Sequence, residues 1–524
     1  MVAKTFFLKI VRDLVVILLI LAGWLVPMSV SYGQTQEWSK PVILSLPGRF
    51  SWFPGITTDL AGGVHVFWAT SRSVSNSSFG VYDAVAYCQP RLTGCADVVE
   101  VAALGGGGYN ARPAAVVDGQ GTIHMLWHGP NVIYYTSAPV MQHVSAQGWS
   151  SPRKLSGGAS YYLNIAQDRR GVLHVVWSEG VDQSKSIICS GCGDIFYRQS
   201  DDQGRTWSAP VDLSNTELGS EKPQIAFGSD GTIYIAWEEG DEFLAGRGQP
   251  TSSMIIASRD GGRTWGQPTT FSFSGDAPQS IAVGVDAKDN VVVVWQQVVG
   301  NGIFYQVSTD HGQSWSPPKQ MLGVVKGSFY DDLDDYDMAP DSAGHLHLVL
   351  VGRDPQTPSN LVDPPNSVYH LEWDGTTWSK PNPIFTAIGD VPEWPRIAVA
   401  TGNQLHAVWF VRDKAHLWTG GSDEYKIWYA HGSSSAAATT PVAWPTLTPT
   451  PESKPIEATP PLTFNRAPTP TPALDPALAQ LTTPSGLIDS IYTDSDEAIL
   501  LAKSLIPAAL IIAAVIAGVR LRRR

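Results

Sequence analysis

Apolar and polar positions along residues 37–431 follow one phrase that occurs seven times: an apolar strand, a turn rich in Asp and Gly, and a second apolar strand. The second strand usually ends in tryptophan, and successive copies lie 50 to 60 residues apart. The residues at this position are Trp68, Trp127, Trp177, Trp237, Trp295, Leu350 and Trp409. A fixed period of this length is typical of propellers and solenoids.

The second copy displays the whole repeat. Residues 112–118 predict strand A, residues 122–127 strand B, residues 132–137 strand C, and the segment from Trp149 to Leu155 strand D. The strands are short and apolar on both faces, as in sheets packed between neighbouring sheets. The sequence therefore predicts an all-β fold, a seven-bladed β-propeller of four-stranded antiparallel blades. Six blades are the alternative if one hairpin is displaced.

The ends of the repeat region predict how the ring closes. The seventh copy supplies only three strands, and residues 38–44 resemble strand D of the sixth copy. We therefore expect the first and last segments of the domain to share one blade, which leaves no exposed sheet edge.

A second phrase, S-x-D-x-G-x-[ST]-W, lies between strands C and D. Its aspartate can accept backbone N–H bonds within a turn, its glycine allows a positive φ, and its tryptophan packs beneath. We therefore assign a structural role to Asp202, Gly204, Trp207, Asp260, Gly262, Trp265, Asp310, Gly312 and Trp315. Histidine recurs three residues before the tryptophan position in five copies, which indicates packing as well. These are His65, His124, His174, His347 and His406.

The termini predict export and membrane attachment. Residues 1–33 are typical of a signal peptide, with an uncleaved hydrophobic anchor as the alternative. Residues 432–497 form a Pro/Thr-rich stalk, residues 498–519 a transmembrane helix, and residues 520–524 a basic cytoplasmic tail. The propeller is then displayed outside the cell, at the cell membrane.

Composition narrows the classes of partner and the redox environment. The net charge of −13 argues against a nucleic-acid surface, which needs a basic stripe. The four cysteines form two local pairs, Cys88 with Cys95 and Cys189 with Cys192. In an exported protein each pair is predicted to form a disulfide that pins a loop.

The S-x-D-x-G-x-[ST]-W boxes resemble those of the sialidase family and its Asp-box (BNR) relatives. That resemblance implies a site in which three arginines hold a carboxylate, a tyrosine is the nucleophile and an aspartate is the acid/base catalyst. Arg112, followed by Pro113, is the closest match to the first family arginine. Arg396 follows its proline, so strand alternation would turn it to the other side of the strand. Active sialidases usually have six blades.

The face opposite the Asp boxes is irregular and is therefore the predicted ligand face. Long B–C loops occupy residues 179–194, 238–253, 352–367 and 410–425. Charged residues that follow strand B, together with Arg396, are candidate ligand-binding residues. They are Glu179, Glu238, Arg353, Arg396 and Arg412, with Glu239 beside them.

An acidic run stands at the entry to the sixth blade. It contains Asp331, Asp332, Asp334, Asp335 and Asp337. Five carboxylates so close together repel one another unless a cation neutralises them. The interpretations are a Ca²⁺ site formed by these five residues, a general acid/base carboxylate, a docking patch for a cationic ligand, or a solvated acidic loop. Under a catalytic interpretation, Asp335 and Tyr336 would act with Arg112.

Three functions remain open from the sequence. The first is a membrane-tethered propeller that binds glycan or protein ligands on its long-loop face. The second is an exo-sialidase-like glycoside hydrolase, and the third is a structural cell-surface protein. None requires a cofactor, apart from Ca²⁺ in the first interpretation of the acidic run.

Overall fold

The strands assemble into seven sheets in the computed structural model. The model describes residues 37–71, 84–103, 111–129, 132–142, 145–180, 193–240, 250–272, 275–327, 335–358, 361, 363–413 and 425–441. Each of the seven main sheets has four strands in an antiparallel chain of pairs, and the sixth carries one additional short strand. Strand A of each blade contacts strand A of the next, and the seventh contacts the first. The predicted seven-bladed propeller is confirmed.

The strands are labelled A to D within each blade. Blade 1 has Phe50–Thr58, Val64–Ser71, Ala84–Cys88 and Val99–Ala103; blade 2 has Ala114–Val117, Thr122–Gly129, Val132–Pro139 and Arg153–Lys154; blade 3 has Ser160–Gln167, Leu173–Gly180, Gly193–Ser200 and Val211–Asp212; blade 4 has Gly219–Phe227, Ile233–Gly240, Pro250–Ser258 and Thr269–Phe271.

Blade 5 has Pro278–Val285, Val291–Gln297, Ile303–Ser308 and Lys319–Gln320; blade 6 has Asp337–Pro340, Leu346–Arg353, Asn366–Trp373 and Asn382–Ala387, with Val325–Lys326 paired to the end of its strand B; blade 7 has Asp390–Ala400, Gln404–Asp413, Lys426–Ser433 and Val42–Ile43. A small hairpin, Pro90–Arg91 with Gly94–Cys95, and a 3₁₀ turn, Ala146–Gly148, complete the described elements.

The core lies between neighbouring blades. Strand B is the most buried strand, and in blade 1 all eight of its residues are buried. The repeated tryptophans at the end of strand B, such as Trp177 and Trp237, are fully buried. Large aromatic side chains bury more apolar surface than any others, so this tryptophan fills much of the interface in six blades, and Leu350 takes its place in blade 6.

The N-terminal strand closes the ring as predicted. Val42 pairs with Tyr429, and Ile43 pairs with Trp428. Next to this pairing, the backbone N–H of Leu44 donates to the carbonyl of Ile427 at 2.8 Å. The first segment therefore supplies strand D of the last blade, which covers the sheet edge of that blade.

The repeated histidines are structural. In blade 1, Nδ1 of His65 lies 2.9 Å from the hydroxyl of Tyr87, and Nε2 lies 3.1 Å from Asp59 in the A–B turn. His124 and His174 likewise lie between a tyrosine hydroxyl and a turn aspartate, although Nε2 of His174 is 3.5 Å from its aspartate. In blade 6, His347 contacts the imidazole of His370 instead of a tyrosine. Because buried histidines with such partners occur in several blades, they stabilise the turns and do not identify one active site.

Each Asp box closes its turn through side-chain hydrogen bonds. Asp202 accepts the backbone N–H of Thr206 at 2.8 Å and its hydroxyl at 2.6 Å. Gly204 has a φ of 74°, which favours glycine. Trp207 packs edge-on against Tyr135 of the preceding blade, with ring centroids 5.3 Å apart. The boxes thus join neighbouring blades.

The boxes predict a pH dependence of stability. Hydrogen bonds from the following Thr or Ser lower the pKa of Asp202, Asp260 and Asp310 to about 2. A carboxyl with a lowered folded-state pKa contributes stability that is present above its unfolded pKa and lost as the pH falls towards 2. Replacing all three by Asn should therefore lower the free energy of unfolding at pH 5, and the difference from the native protein should shrink at pH 2.5.

Denaturant titrations at both pH values measure this difference. Asp201→Asn, at an exposed carboxylate next to a box, is the control and should have little effect at either pH. An equal loss at pH 5 and pH 2.5 in the triple variant would contradict the prediction.

Several predicted segments lie outside the described residues. These are the N-terminal segment 1–33, the stalk beyond residue 441, the helix 498–519, the tail 520–524, and the pair Cys189 and Cys192. No helix among the described residues is long and apolar enough to span a membrane. Cys88 and Cys95 are joined by a disulfide. The ordered chain continues past the predicted boundary at residue 431, since the hydroxyl of Thr439 accepts the backbone N–H of Gly402 at 2.7 Å.

Candidate functional site

The same backbone irregularity occurs near the start of strand A in six blades. A non-glycine residue there has a φ between 30° and 55°, and in five blades the A–B register shifts at this point. Positive φ is uncommon for residues with a side chain, and an inserted residue of this kind is a β-bulge. The six residues are Phe53, Arg112, Tyr162, Lys222, Ser280 and Trp394.

Strand pairing identifies the seventh member of this set. The histidine position of strand B, three residues before the tryptophan position, pairs with one residue of strand A in every blade. Each of the six bulge residues stands four residues before that strand A residue. In blade 6 that strand A residue is Ala339, which pairs with His347, so the equivalent residue is Asp335. We call the set the bulge ring. Its members are Phe53, Arg112, Tyr162, Lys222, Ser280, Asp335 and Trp394.

Prolines fix the place of the bulge in four blades. Pro54, Pro113, Pro223 and Pro395 each follow a bulge-ring residue directly. Proline has no backbone N–H and cannot continue a ladder of hydrogen bonds. The backbone of the ring is therefore part of the repeat. Its side chains, in contrast, include cations, an acid, a hydroxyl and large aromatic groups, so chemistry can differ around the ring.

The bulge ring borders a cavity of about 210 Å³ among the first strands of the blades. Five of its members line the cavity, namely Arg112, Tyr162, Lys222, Asp335 and Trp394. Polar side chains two residues further along strand A also line it, and these are Asn164, Gln224, Asp337 and Arg396.

Arg112 is a buried cation whose described contacts are aromatic. It is 9% exposed, and its guanidinium carbon lies 4.4 Å from the ring centre of Phe53, 4.3 Å from that of Tyr162 and 5.6 Å from that of Trp394. Its buried Nε has no hydrogen-bond partner, and among the described residues no carboxylate pairs with it. Three aromatic faces attract the cation but do not neutralise its charge.

Arg396 faces the same cavity, so the expectation that it lies on the other side of its strand from Arg112 is wrong. Its guanidinium carbon lies 4.1 Å from the ring centre of Trp394, which Arg112 also contacts. Trp394 holds the position of Arg112 in the bulge ring, and Arg396 stands two residues after it. A period of two keeps these two positions on one side of the strand, so the expectation misapplied that period. Unlike Arg112, Arg396 has a carboxylate partner, since its Nη2 donates to Asp335 at 2.5 Å.

Glu238 joins the site through Lys222. Nζ of Lys222 lies 3.6 Å from Glu238 Oε2, and both side chains are almost fully buried. The backbone N–H of Ser280 donates to the other carboxyl oxygen. Burial raises the pKa of Glu238, and the charge of Lys222 opposes this shift.

Asp337 is a second carboxyl with a raised pKa. Its own burial is the main cause, and Arg396 acts in the opposite direction. Asp337 also accepts the backbone N–H of Ile397 at 2.9 Å. Asp337 thus lies beside the half-buried Arg396 with its pKa above the ordinary value, which is the direction that a general acid requires.

Four other predicted site residues lie away from this cavity. Arg412 is buried and pairs with Glu393 through two of its nitrogens. Tyr336 is fully buried, and its hydroxyl donates to Gln296 at 3.0 Å. Glu179 accepts the indole N–H of Trp177 at 2.7 Å. Arg353 ends strand B of blade 6, where it pairs with Val325. None of these four residues lines the 210 Å³ cavity.

Only two of the five predicted Ca²⁺ ligands lie within the described part of the chain. Asp331, Asp332 and Asp334 lie outside the described residues. Asp335 is bound to Arg396, and Asp337 to the backbone of Ile397. Within the described residues no group of three His, Cys, Asp or Glu side chains is arranged to hold a metal ion.

Lys222, Tyr162 and Trp394 are site residues that the sequence does not predict. A signal for them exists. Every member of the ring stands four residues before the strand A residue that pairs with the histidine position, and this fixed distance locates it. The repeats align through their shared phrases, and these three residues belong to no phrase because they are the positions at which the blades differ.

A model of the BNR repeat-like domain matches residues 120–332, which contain all three complete Asp boxes. The propeller therefore contains BNR-like repeats. The sialidase-like resemblance of its boxes is thereby confirmed at the level of the repeat. No curated protein sequence matches the chain significantly.

Several solved structures are similar to this chain. An ulvan lyase of polysaccharide lyase family PL25, bound to -[GlcA(1-4)Rha3S]-, has a TM-score of 0.49 and 10% identity, over 74% of this chain and 94% of the lyase. A Dyadobacter fermentans protein of unknown function has a TM-score of 0.46 and 10% identity, over 76% and 99%. A leech intramolecular trans-sialidase has a TM-score of 0.38 and 10% identity, over 75% and 94%.

Proposed function

We propose that this BNR-repeat propeller binds glycans that carry a carboxylate, in the cavity bordered by the bulge ring. The observation that carries the proposal is Arg112, a nine-tenths buried guanidinium with no carboxylate partner among the described residues. Burying a charge without a partner is costly, so such groups are rare unless they serve a ligand.

Aromatic contacts offset part of the free-energy cost of burying Arg112 and leave its N–H donors available for a ligand. Phe53, Tyr162 and Trp394 stack around the guanidinium, and a desolvated cation–π contact stabilises by roughly 2 kcal/mol or more. These contacts act through the faces of the aromatic rings. A carboxylate that enters the cavity can accept charge-assisted hydrogen bonds from the guanidinium N–H groups.

The size of the cavity favours one sugar residue. A volume of about 210 Å³ lies below the roughly 300–1,000 Å³ of drug-sized ligand sites. Polar groups for sugar hydroxyls are present in Asn164 and Gln224, and the aromatic groups of Tyr162 and Trp394 suit the apolar face of a sugar ring. A terminal acidic sugar of a longer glycan fits this description.

A second candidate function is exo-sialidase-like glycoside hydrolysis, and the raised pKa values of Glu238 and Asp337 favour it. A carboxyl that keeps its proton near neutral pH is what a general acid requires. Binding without turnover is nevertheless the better-supported function. Two of the predicted ligand-binding arginines, Arg396 and Arg412, already pair with Asp335 and Glu393, and Tyr336 lies in the core.

We also propose that the propeller is displayed outside the cell at a membrane. The support is the apolar segment 498–519 followed by arginines, the Pro/Thr-rich segment before it, and the disulfide between Cys88 and Cys95. Glycans and cell-surface proteins are then the available partners. A purely structural surface protein is the remaining alternative.

Binding of matched acidic and neutral glycans tests the proposal. Calorimetric titration with 3′-sialyllactose and a glucuronate-terminated disaccharide is expected to give at least tenfold tighter binding for one of them than for its carboxyl-reduced analogue. The affinity should fall only modestly between 50 and 500 mM NaCl, since a buried charge pair is screened much less than an exposed one. Release of free acidic sugar in the same mixtures would support the hydrolase. Equal affinity for acidic and reduced sugars, or no binding of either, would contradict a carboxylate site.

A further inference from the structure

The seam between blade 7 and blade 1 lacks a side chain that the other six seams contain. One equivalent position of strand C, held by Tyr197 in blade 3, pairs with a residue of strand D in every blade. In six blades a tryptophan stands four residues before that strand D residue. These are Trp38, Trp149, Trp207, Trp265, Trp315 and Trp378. In blade 1 that strand D residue is Val99, which pairs with Tyr87, so the equivalent position is Cys95. Its side chain is used in the disulfide.

In three other seams this tryptophan meets the strand C ring of the preceding blade in one geometry. Trp207 and Tyr135 have centroids 5.3 Å apart at 73°, Trp265 and Tyr197 are 5.0 Å apart at 74°, and Trp38 and His370 are 5.3 Å apart at 65°. The matching ring of blade 7 is Tyr429. Since blade 1 offers Cys95 in place of a tryptophan, its Asp-box turn supplies no indole for Tyr429.

A cavity of about 940 Å³ lies beside Tyr429. Its lining includes His406 and His431 from blade 7, and Arg91, Leu92 and Val98 from the hairpin region of blade 1. This volume is within the roughly 300–1,000 Å³ of small-molecule sites. Gly62 and Gly63 of the A–B turn also line it, so the cavity belongs to the Asp-box face, at the opposite end of strand A from the bulge ring.

A second departure from the repeat faces the same cavity. In blades 1, 2, 3 and 6 the carboxylate six residues before the histidine lies 3.1 to 3.5 Å from its Nε2. In blade 7 this position is Ala400. Nδ1 of His406 lies 2.7 Å from the Tyr429 hydroxyl, whereas Nε2 has no hydrogen-bond partner among the described residues. Burial, with a contribution from His431, lowers the pKa of His406 to about 4, so the imidazole is neutral at pH 7.

We propose that this seam cavity is a second ligand site, which takes a planar aromatic ring that carries a hydrogen-bonding group. The ring lies edge-on against Tyr429, as the tryptophans do in the equivalent seams, and its polar group contacts Nε2 of His406. The Asp-box tryptophan is missing from this seam, and His406 is the one histidine of the repeated set that has no turn carboxylate six residues before it. The ring has two sources: a free aromatic molecule, or the indole of Trp444, three residues beyond the last described residue.

Indole is the probe, because it is the group that the other seams contain. Calorimetric titration of indole into the full-length protein and into the Trp444→Ala variant is expected to give one saturable site. Binding that is at least tenfold tighter in Trp444→Ala would identify Trp444 as the native occupant. Equal binding to both proteins would favour a free ligand. Absence of saturable binding in both proteins would overturn the proposal.

Variants locate the site. Tyr429→Ala should weaken indole binding about tenfold, the order expected for loss of an edge-on aromatic contact together with its buried area. The matched control is Tyr197→Ala, at the same position of blade 3, where Trp265 fills the seam. If both variants weaken binding equally, the seam is not the site. Ala96→Trp places a large side chain on the cavity wall without removing a core group. It should abolish binding, and unchanged binding would overturn the proposal.

Discussion

Arg112→Ala is expected to abolish measurable binding of the carboxylate-bearing glycan. Removing one partner of a buried, hydrogen-bonded charge pair costs about 2–5 kcal/mol, which is roughly a 30-fold loss of affinity or more. Arg112→Lys should bind weakly, because an ammonium keeps the charge but not the planar fork that stacks between Phe53, Tyr162 and Trp394. Calorimetric titration of both variants with the acidic sugar that binds the native protein measures the effect.

The matched control is Arg153, which is also an arginine beside an aromatic ring. Its guanidinium carbon lies 5.2 Å from the ring centre of Tyr135, and it donates to the carbonyl of Arg205 in an Asp box. It therefore belongs to the face opposite the proposed site, and Arg153→Ala should leave glycan affinity unchanged. Retention of affinity within about threefold in Arg112→Ala would contradict the proposed function.

Stability gives a second measurement that separates a ligand-binding arginine from a structural one. If Arg112 serves a ligand, its burial without a counter-charge lowers stability, and Arg112→Leu should unfold at the same temperature as the native protein or higher. If Arg112 instead stabilises the ring, the same variant should lose stability and retain binding. The melting temperatures of the two proteins without glycan decide between these outcomes.

The scaffold is predictable from the sequence because its determinants repeat. Trp177, His174 and Asp202 each belong to a phrase found in several blades, so comparison of the copies is enough to assign them to packing and turns. The closure through Val42 and Ile43 is predictable for the same reason, since residues 38–44 match strand D of another copy.

The site is predictable only in part, because its geometry depends on the bulge. A motif identifies Arg112, and an unusual charge run identifies Asp335. The expectation that placed Arg396 on the other side of its strand misapplied the period of two, since Arg396 stands two residues after Trp394, the counterpart of Arg112. Lys222 and Tyr162 give no signal of composition or motif. Alignment of the copies on the histidine position does locate them, since Tyr162, Lys222 and Arg112 each stand twelve residues before that position.

Arg412→Ala is expected to lower the free energy of unfolding by about 3–5 kcal/mol, the range for removing one partner of a buried ion pair. Glu393 is fully buried and accepts from both Nε and Nη2 of Arg412. Without the arginine, its carboxylate would remain buried and uncompensated. The double variant Arg412→Leu/Glu393→Leu should recover a large part of the loss, since it removes both charges. Urea titrations of the three proteins measure the difference, and equal stability of Arg412→Ala and the native protein would contradict a buried ion pair.

This pair also explains why neighbouring arginines differ in function. Glu393 directly precedes the bulge residue Trp394 and neutralises Arg412, while Asp335 neutralises Arg396. In blade 2 the residue before Arg112 is Ala111, which has no charge to offer. Arg412→Ala should therefore impair folding stability without changing glycan affinity per folded molecule, the opposite of Arg112→Ala. If both variants lost affinity to the same degree, the ligand would require both guanidinium groups, and the carboxylate-triad interpretation would regain support.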